Sequence, residues 1–255
     1  MKYSDNKAFD RDVCSVIYRY DGIKASEIAK VLNTDRKTVN SALFSSPLLH
    51  ELCYRDANYK WYSVLSGNGD HEGLREFAGY YSTVREFVAS DEEKWLEELK
   101  NGCARIGRNL NDTRGLFHSF LDCRQTMLNL FCDLSAMTNR EYLDWEIAFE
   151  LRINKGRMLR IYTDVLLITG SYVFSMEFKM NKCVIEEEEK QAVKYAPFLD
   201  VIFGGYSSIV PVLVLTRTTD LFETRYIGAP ESRLMICSGD MLFNVLDDKY
   251  HFLGE

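Results

Sequence analysis

Apolar residues recur at two spacings along this chain, and the changes of spacing predict its elements. Phe9, Val13, Val16, Ile17 and Tyr20 fall three and four apart, which predicts a helix ending at Asp21-Gly22. SEIAKVL predicts a second short helix with Ser26 as its N-cap, because a serine oxygen there can accept from an orphaned backbone N–H. Asn33-Thr34 marks a turn, and Asp35 caps a third helix, RKTVNSALF. LCYRD and YKWYSV, joined by a tight Ala57-Asn58 turn, predict a β-hairpin. The Gly-rich polar stretch SGNGDHE (66–72) predicts a domain boundary. Beyond it, Trp95, Leu96, Leu99, Phe117, Phe120, Leu121, Met127, Leu128 and Phe131 keep helical spacing. Residues 73–137 are therefore expected to be helices that join or brace two domains, interrupted by a connector at 101–115.

From residue 138 the texture changes. TNREYLDWEIAFELRI predicts an amphipathic helix that Thr138 could cap. MLRIYTDVLLI (158–168) predicts a strand, Thr169-Gly170-Ser171 a turn, and YVFSMEFKM the opposite arm of a hairpin. IEEEEKQAVKYAPFLDVIF (185–203) predicts one helix, and SSIVPVLVLT (207–216) a strand apolar enough to be buried on both faces. The tail, 219–255, carries no pattern that assigns it. The expected class is α/β (α+β), with units at 1–66, 73–137 and 138–255.

Composition narrows the class. With 46% hydrophobic and 27% charged residues, the 255-residue chain has enough apolar mass for a real core. The seven cysteines are scattered singly, which fits neither a disulfide framework nor a zinc site. No apolar run reaches the roughly 18 residues of a membrane span, and MKYSDNKAFDRD lacks the apolar core of a signal peptide. A cytoplasmic protein with no membrane partner is expected. The net charge of −7 argues against a generally basic nucleic-acid surface, although acidic metal ligands can make a nuclease acidic.

Three helices and a hairpin in that order resemble a winged helix-turn-helix over about 55 residues. The resemblance implies a recognition helix at 35–44 offering Arg36, Lys37, Thr38, Asn40 and Ser41, with Arg55 and Lys60 on the wing. Between Asp21 and Leu65 six basic residues face five acidic ones, so a protein-interaction module stays open beside nucleic-acid binding.

Candidate chemistry lies in the last third. Asp164 interrupts an apolar strand, and alternation points Glu177 and Lys179 to one side of the next. If the strands pair through the 169–171 turn, the two carboxylates approach at one end of a sheet. A divalent cation would relieve their repulsion, and Mg²⁺ is commonly held by one or two carboxylates plus phosphate oxygens. Lys179 would stand beside it, to orient or deprotonate a water or to neutralise charge developing on phosphate. As a bland alternative, Glu177 and Lys179 form an exposed ion pair worth under about 1 kcal/mol. The run Glu186–Glu189 reads as a solvated first turn favoured by the helix dipole. Arg217, Arg225 and Arg233 are candidates to face phosphate; His118 and His251 have no assigned role.

The D-x12-E-x-K spacing of Asp164, Glu177 and Lys179, followed by QAVKY, resembles the PD-(D/E)XK nuclease superfamily, in its exonuclease-like branch with Q-x3-Y. Over about 138–218 it looks most like the restriction-endonuclease-type domain at the front of some bacterial helicase-like and defence-associated proteins. The resemblance implies a restriction-endonuclease-like mixed sheet flanked by helices, with Asp164, Glu177 and the Phe178 carbonyl holding Mg²⁺ or Mn²⁺. It implies that Lys179 is catalytic and that Gln191 and Tyr195 support the site or touch the strand. It also implies a glutamate from the first helix, for which Glu146 is chosen over Glu150. The expected function is a metal-dependent nuclease acting on nucleic acid, DNA foremost, in phage defence or DNA repair. An inactive nuclease-fold docking subunit of a larger assembly is the alternative, and a transcriptional regulator a third reading. A protein partner and a homo-oligomer both remain open.

Overall fold

The protein was analysed as a computed structural model, which describes residues 6–20, 22–63, 72–108, 110, 113–138, 140–153, 162–203, 207–228 and 232–253. Helix α1 (Asn6–Arg19) turns Phe9, Val13 and Ile17 towards Ile28 of α2 (Ala25–Val31), Val39 and Leu43 of α3 (Arg36–Ser45), and Leu49 and Leu52 of α4 (Pro47–Leu52). Strands β1 (Ile23–Lys24), β2 (Cys53–Arg55) and β3 (Lys60–Ser63) close this core as an antiparallel sheet in the order β1-β3-β2. Asp35 caps α3 as expected, its Oδ1 accepting from the Thr38 N–H at 2.9 Å. Ser26 does not cap α2. Pairing with β3 keeps the chain extended through Lys24, so the helix starts at Ala25 and the Lys24 N–H donates to Glu27 Oε2 at 2.8 Å.

The expected break at 66–72 lies outside the described residues except for Glu72, which opens α5 (Glu72–Arg75). Next come β4 (Tyr80–Thr83), α6 (Val84–Ala89), α7 (Glu92–Arg105) and α8 (Thr113–Met137). The expectation of helices alone over 73–137 is thus corrected: four residues of it, YYST, form a sheet strand. A larger correction follows. Only a 3-10 turn (Glu141–Asp144) precedes β5 (Glu146–Arg152), where an amphipathic helix was expected. The run Ile147, Phe149, Leu151, Ile153 also alternates with period two, and β5 lies between β4 and β6 with Ile147 to Leu151 buried on both faces.

Strand β6 (Tyr162–Ile168) and β7 (Tyr172–Lys179) form the expected hairpin, although residues 158–161 of the first arm lie outside the described residues. The expected single helix at 185–203 is two, α9 (Glu186–Lys194) and α10 (Ala196–Phe203). Pro197 is the cause, since it brings no N–H and crowds the carbonyl four residues back. Strand β8 (Ser208–Leu215) is central and buried. The unassigned tail supplies β9 (Phe222–Ile227), β10 (Ser232–Ser238), a 3-10 turn (Gly239–Met241) and α11 (Leu242–Tyr250).

The result is a mixed α/β architecture around a seven-stranded sheet ordered β4-β5-β6-β7-β8-β10-β9. The β4-to-β7 pairings are antiparallel, β7–β8 and β8–β10 parallel, and β10–β9 antiparallel. One face packs on α6, α7, α8 and α11 through Phe87, Trp95, Met127 and Leu246. The other packs on α9 and α10 through Ala192, Leu199 and Phe203. Phe198 of α10 touches both this second core and the N-terminal one. Helix α7 presses on the turn before β4 so closely that a Cβ on Gly102 would lie 1.8 Å from the Gly79 carbonyl oxygen. No described helix is long and apolar enough to cross a membrane.

Candidate metal and catalytic site

The hairpin register aligns Val165 with Met176, so the next residues towards its open end, Asp164 and Glu177, face one another across the strands. There the ladder gives way to a side chain: the Phe178 N–H donates to Asp164 Oδ2 at 2.8 Å. On the other side of β6, pairing passes from Phe149–Val165 to Leu151–Thr163, leaving Glu150 opposite Asp164. Glu150 sits at φ +53, left-handed backbone that costs an L-residue roughly 1–2 kcal/mol, and the β5–β6 ladder skips it without a change of register. The Gly79 N–H, just before β4, reaches both the Phe149 and Glu150 carbonyls, at 3.0 and 3.2 Å.

Glu150, Asp164 and Glu177 therefore meet in one cavity of about 670 Å³, which Glu187 also lines, with Lys179, Gln191 and Tyr195 on one side and Phe120 and Cys123 of α8 on another. Lys179 Nζ donates to Glu177 Oε1 at 2.8 Å and to Gln191 Oε1 at 3.2 Å. Gln191 Nε2 donates to the same Glu177 oxygen at 2.5 Å and to the Tyr195 hydroxyl at 3.0 Å. One helical turn between Gln191 and Tyr195 puts both on the face of α9 that looks at β7. Arg108, from the segment after α7, brings Nε to 2.8 Å from Glu150 Oε2, though without hydrogen-bond alignment, and its guanidinium lies 4.8 Å from the Tyr162 ring centre.

The electrostatics follow from that crowding. Burial, and then the Asp164 charge, push the Glu177 carboxyl up to about 8 against the pull of Lys179. Burial and Asp164 likewise push Glu150 up to about 8, with Arg108 opposing. Asp164 is also raised by burial, offset by the Phe178 N–H and then by Lys179 and Arg108. Burial pulls Lys179 down, but the Glu177 charge and hydrogen bond outweigh it and leave the ammonium above its ordinary value. Three carboxylates meet two cations here, and the buried Glu177 Oε2 has no hydrogen-bond partner among the described residues. Glu177 lines a polar cavity, and a carboxylate with an orphaned oxygen is what a divalent cation would satisfy. Among the described residues no group of three or more His, Cys, Asp or Glu side chains is placed to hold a metal ion. Mg²⁺ does not need one, since it keeps several waters and shares substrate oxygens.

The structure thus brings Asp164, Glu177, Phe178, Lys179, Gln191 and Tyr195 together. Glu146 is elsewhere: on β5 it accepts from the Tyr81 hydroxyl at 2.5 Å and does not line the cavity. Its choice depended on a helix that is a strand, and Glu150, one glutamate later, stands in the cavity instead. Arg108 was missed altogether, because nothing in its local sequence shows that α7 delivers it to β5. The three candidate arginines are engaged elsewhere, Arg217 with Asp122, Arg225 with Glu189 and Glu223, and Arg233 with Asp248. Glu189 is buried, unlike the rest of the solvated turn expected for it. At the N-terminus, Arg36, Lys37, Arg55 and Lys60 are exposed, whereas Thr38 is committed to Asp35 through both its N–H and its hydroxyl.

No family model, curated protein or solved structure matches this chain.

Proposed function

We propose that the chain is a divalent-metal-dependent nuclease of the PD-(D/E)XK kind, with a winged helix-turn-helix at its N-terminus that engages the nucleic acid. The observation that carries this reading is the buried, unpartnered Glu177 Oε2 beside Asp164, with Lys179 hydrogen-bonded to the opposite oxygen of the same carboxylate. Asp164 and Glu177 would hold Mg²⁺ or Mn²⁺, whereas Glu150, which lines the same cavity, is paired with Arg108. Bound there, the ion supplies Lewis-acid polarisation of the phosphate and lowers the pKa of its water.

The chain's own residues do the rest. Lys179, kept protonated by Glu177, donates to a phosphate oxygen and stabilises charge that develops there; it is not a base. Gln191 bonds both Glu177 and Lys179 and so fixes the angle between carboxylate and ammonium. Tyr195 anchors Gln191. Lys194 on the cavity rim suits a polyanionic strand, whereas Lys190 there is paired with Glu186.

Purified protein with Mg²⁺ or Mn²⁺ is expected to cut labelled DNA or RNA. Glu177→Gln and Lys179→Ala should each slow cutting about 100-fold or more, and Asp164→Asn should abolish calorimetric metal binding. Absence of both cutting and Asp164-dependent metal binding defeats the proposal. The Arg108–Glu150 ion pair, which already neutralises one carboxylate, favours a second reading: a nuclease-like scaffold that docks nucleic acid or a protein partner without cutting. Metal binding that is intact while every nucleic acid survives would select it.

A further inference from the structure

A second cleft, of about 450 Å³, opens between α3 and the β2–β3 hairpin. Its walls are aromatic. Trp61 is buried at the base, while Phe44 and Tyr59 are 56% and 68% exposed. The hairpin tip is fixed rather than loose, since the Asp56 carboxylate accepts from the N–H groups of Asn58 and Lys60 at 2.9 and 2.8 Å and from the Tyr62 hydroxyl at 3.2 Å. Tyr59 is thereby held at φ +61, a conformation few side chains adopt, with its ring turned out.

The Arg55 guanidinium lies 5.4, 5.0 and 5.9 Å from the ring centres of Phe44, Tyr59 and Trp61. Lys24 and Arg36 complete the lining, and no Asp or Glu lines it. Among the described residues none of these three cations forms an ion pair, whereas Arg85, Arg108, Arg217, Arg225 and Arg233 all do.

We propose that this cleft takes an unpaired nucleobase, of DNA or RNA, stacked on Phe44 and Tyr59 with its flanking phosphates on Lys24 and Arg36. The inference rests on reading the N-terminal unit as a nucleic-acid binder, not on the metal site. Flat π-faces with an arginine among them suit a flat ring, and cations without acids suit the anion attached to it. An acidic peptide would match the charge but leave the rings without a partner. A continuous duplex keeps its base faces in its own stack and would ask α3 to read base edges, yet the Thr38 hydroxyl is bonded to Asp35 at 2.7 Å. The preferred nucleic acid is therefore a single strand, or a duplex end with an overhang.

The test uses the full chain in EDTA, so that nothing is cut. Fluorescence anisotropy would compare single-stranded DNA and RNA, the blunt duplex of the same sequence, and a strand whose central residues are abasic. Single strands should bind more tightly than the blunt duplex, and the abasic strand about 5- to 100-fold more weakly than the intact one. Tyr59→Ala should weaken the intact strand by a similar factor and leave the abasic strand unchanged. Arg36→Ala should weaken both and lower the salt slope by about one. Equal binding of intact and abasic strands, equal binding of blunt duplex, or no binding of any oligonucleotide overturns the proposal. Because abasic strands need no variant, a misfolded Tyr59→Ala would not protect it. Cutting that disappears in Glu177→Gln while Tyr59→Ala binds normally would leave the nuclease reading standing and this one fallen.

Discussion

Glu177 is a carboxylate in surroundings that disfavour its charge, and that sets the pH response of the metal-free protein. Its carboxyl and that of Glu150 are raised from the ordinary range to about 8, mainly by burial. Between about pH 5 and pH 8 the folded chain therefore binds more protons than the unfolded one, so stability falls as pH rises through that window. Metal-free protein should melt highest near pH 5 and lose on the order of a few kcal/mol by pH 8 to 9. Glu177→Gln should flatten that loss, and Mg²⁺ should reverse it; a melting temperature that rises from pH 5 to pH 8 would contradict the geometry. That Glu177 and Lys179 share a side follows from simple periodicity, whereas Gln191 and Tyr195 were singled out by the Q-x3-Y resemblance. Glu150 was legible by neither route. It stands at a left-handed backbone position that the ladder to β6 skips and the Gly79 N–H touches, which no spacing along its own segment reveals.

The elements that were misread show the same limit. EYLDWEIAFELRI satisfies both the helical spacing and the alternating one, and only flanking by β4 and β6 decides for a strand. YYST is too short to announce itself inside a helical stretch, yet it is the edge strand that pairs with β5. The contact behind it makes a prediction for the elements. A methyl group on Gly102 would collide with the Gly79 backbone, which has no flexible end to move. Gly102→Ala should cost about 1–3 kcal/mol, seen in thermal denaturation, and push α7 away from β4. Because the Gly79 N–H holds the Glu150 carbonyl, calorimetric metal affinity should fall as well, at temperatures where the variant is still folded. Gly170→Ala is the control. Its φ of +84 makes it strained, but nothing lies within 4 Å and the cavity is remote from it, so stability should drop without a change in metal affinity.

Across the whole molecule, the charge of −7 is unevenly spent. Acidic residues gather around the β6–β7 opening, whereas the charged residues that line the cleft beside α3 are all cations. Overall charge therefore said little about where nucleic acid could bind, and neither did composition. The N-terminal helices and hairpin could be read from local signals, since their caps and turns lie within a few residues of each other. How that unit meets the sheet could not, because the contact joins α1 to α10, far apart in the chain. Among the described residues Phe198 packs, partly buried, against both cores, and Tyr18 of α1 also packs against the sheet's. Calorimetry should show one unfolding transition for the wild type and two for Phe198→Ala; two transitions in the wild type would refute the coupling. A shared side chain of this kind makes the two halves a single thermodynamic system. An oligonucleotide that docks only at the N-terminal end would then raise the melting temperature of the sheet as well, and a cation taken up between β6 and β7 would protect α1 from proteolysis.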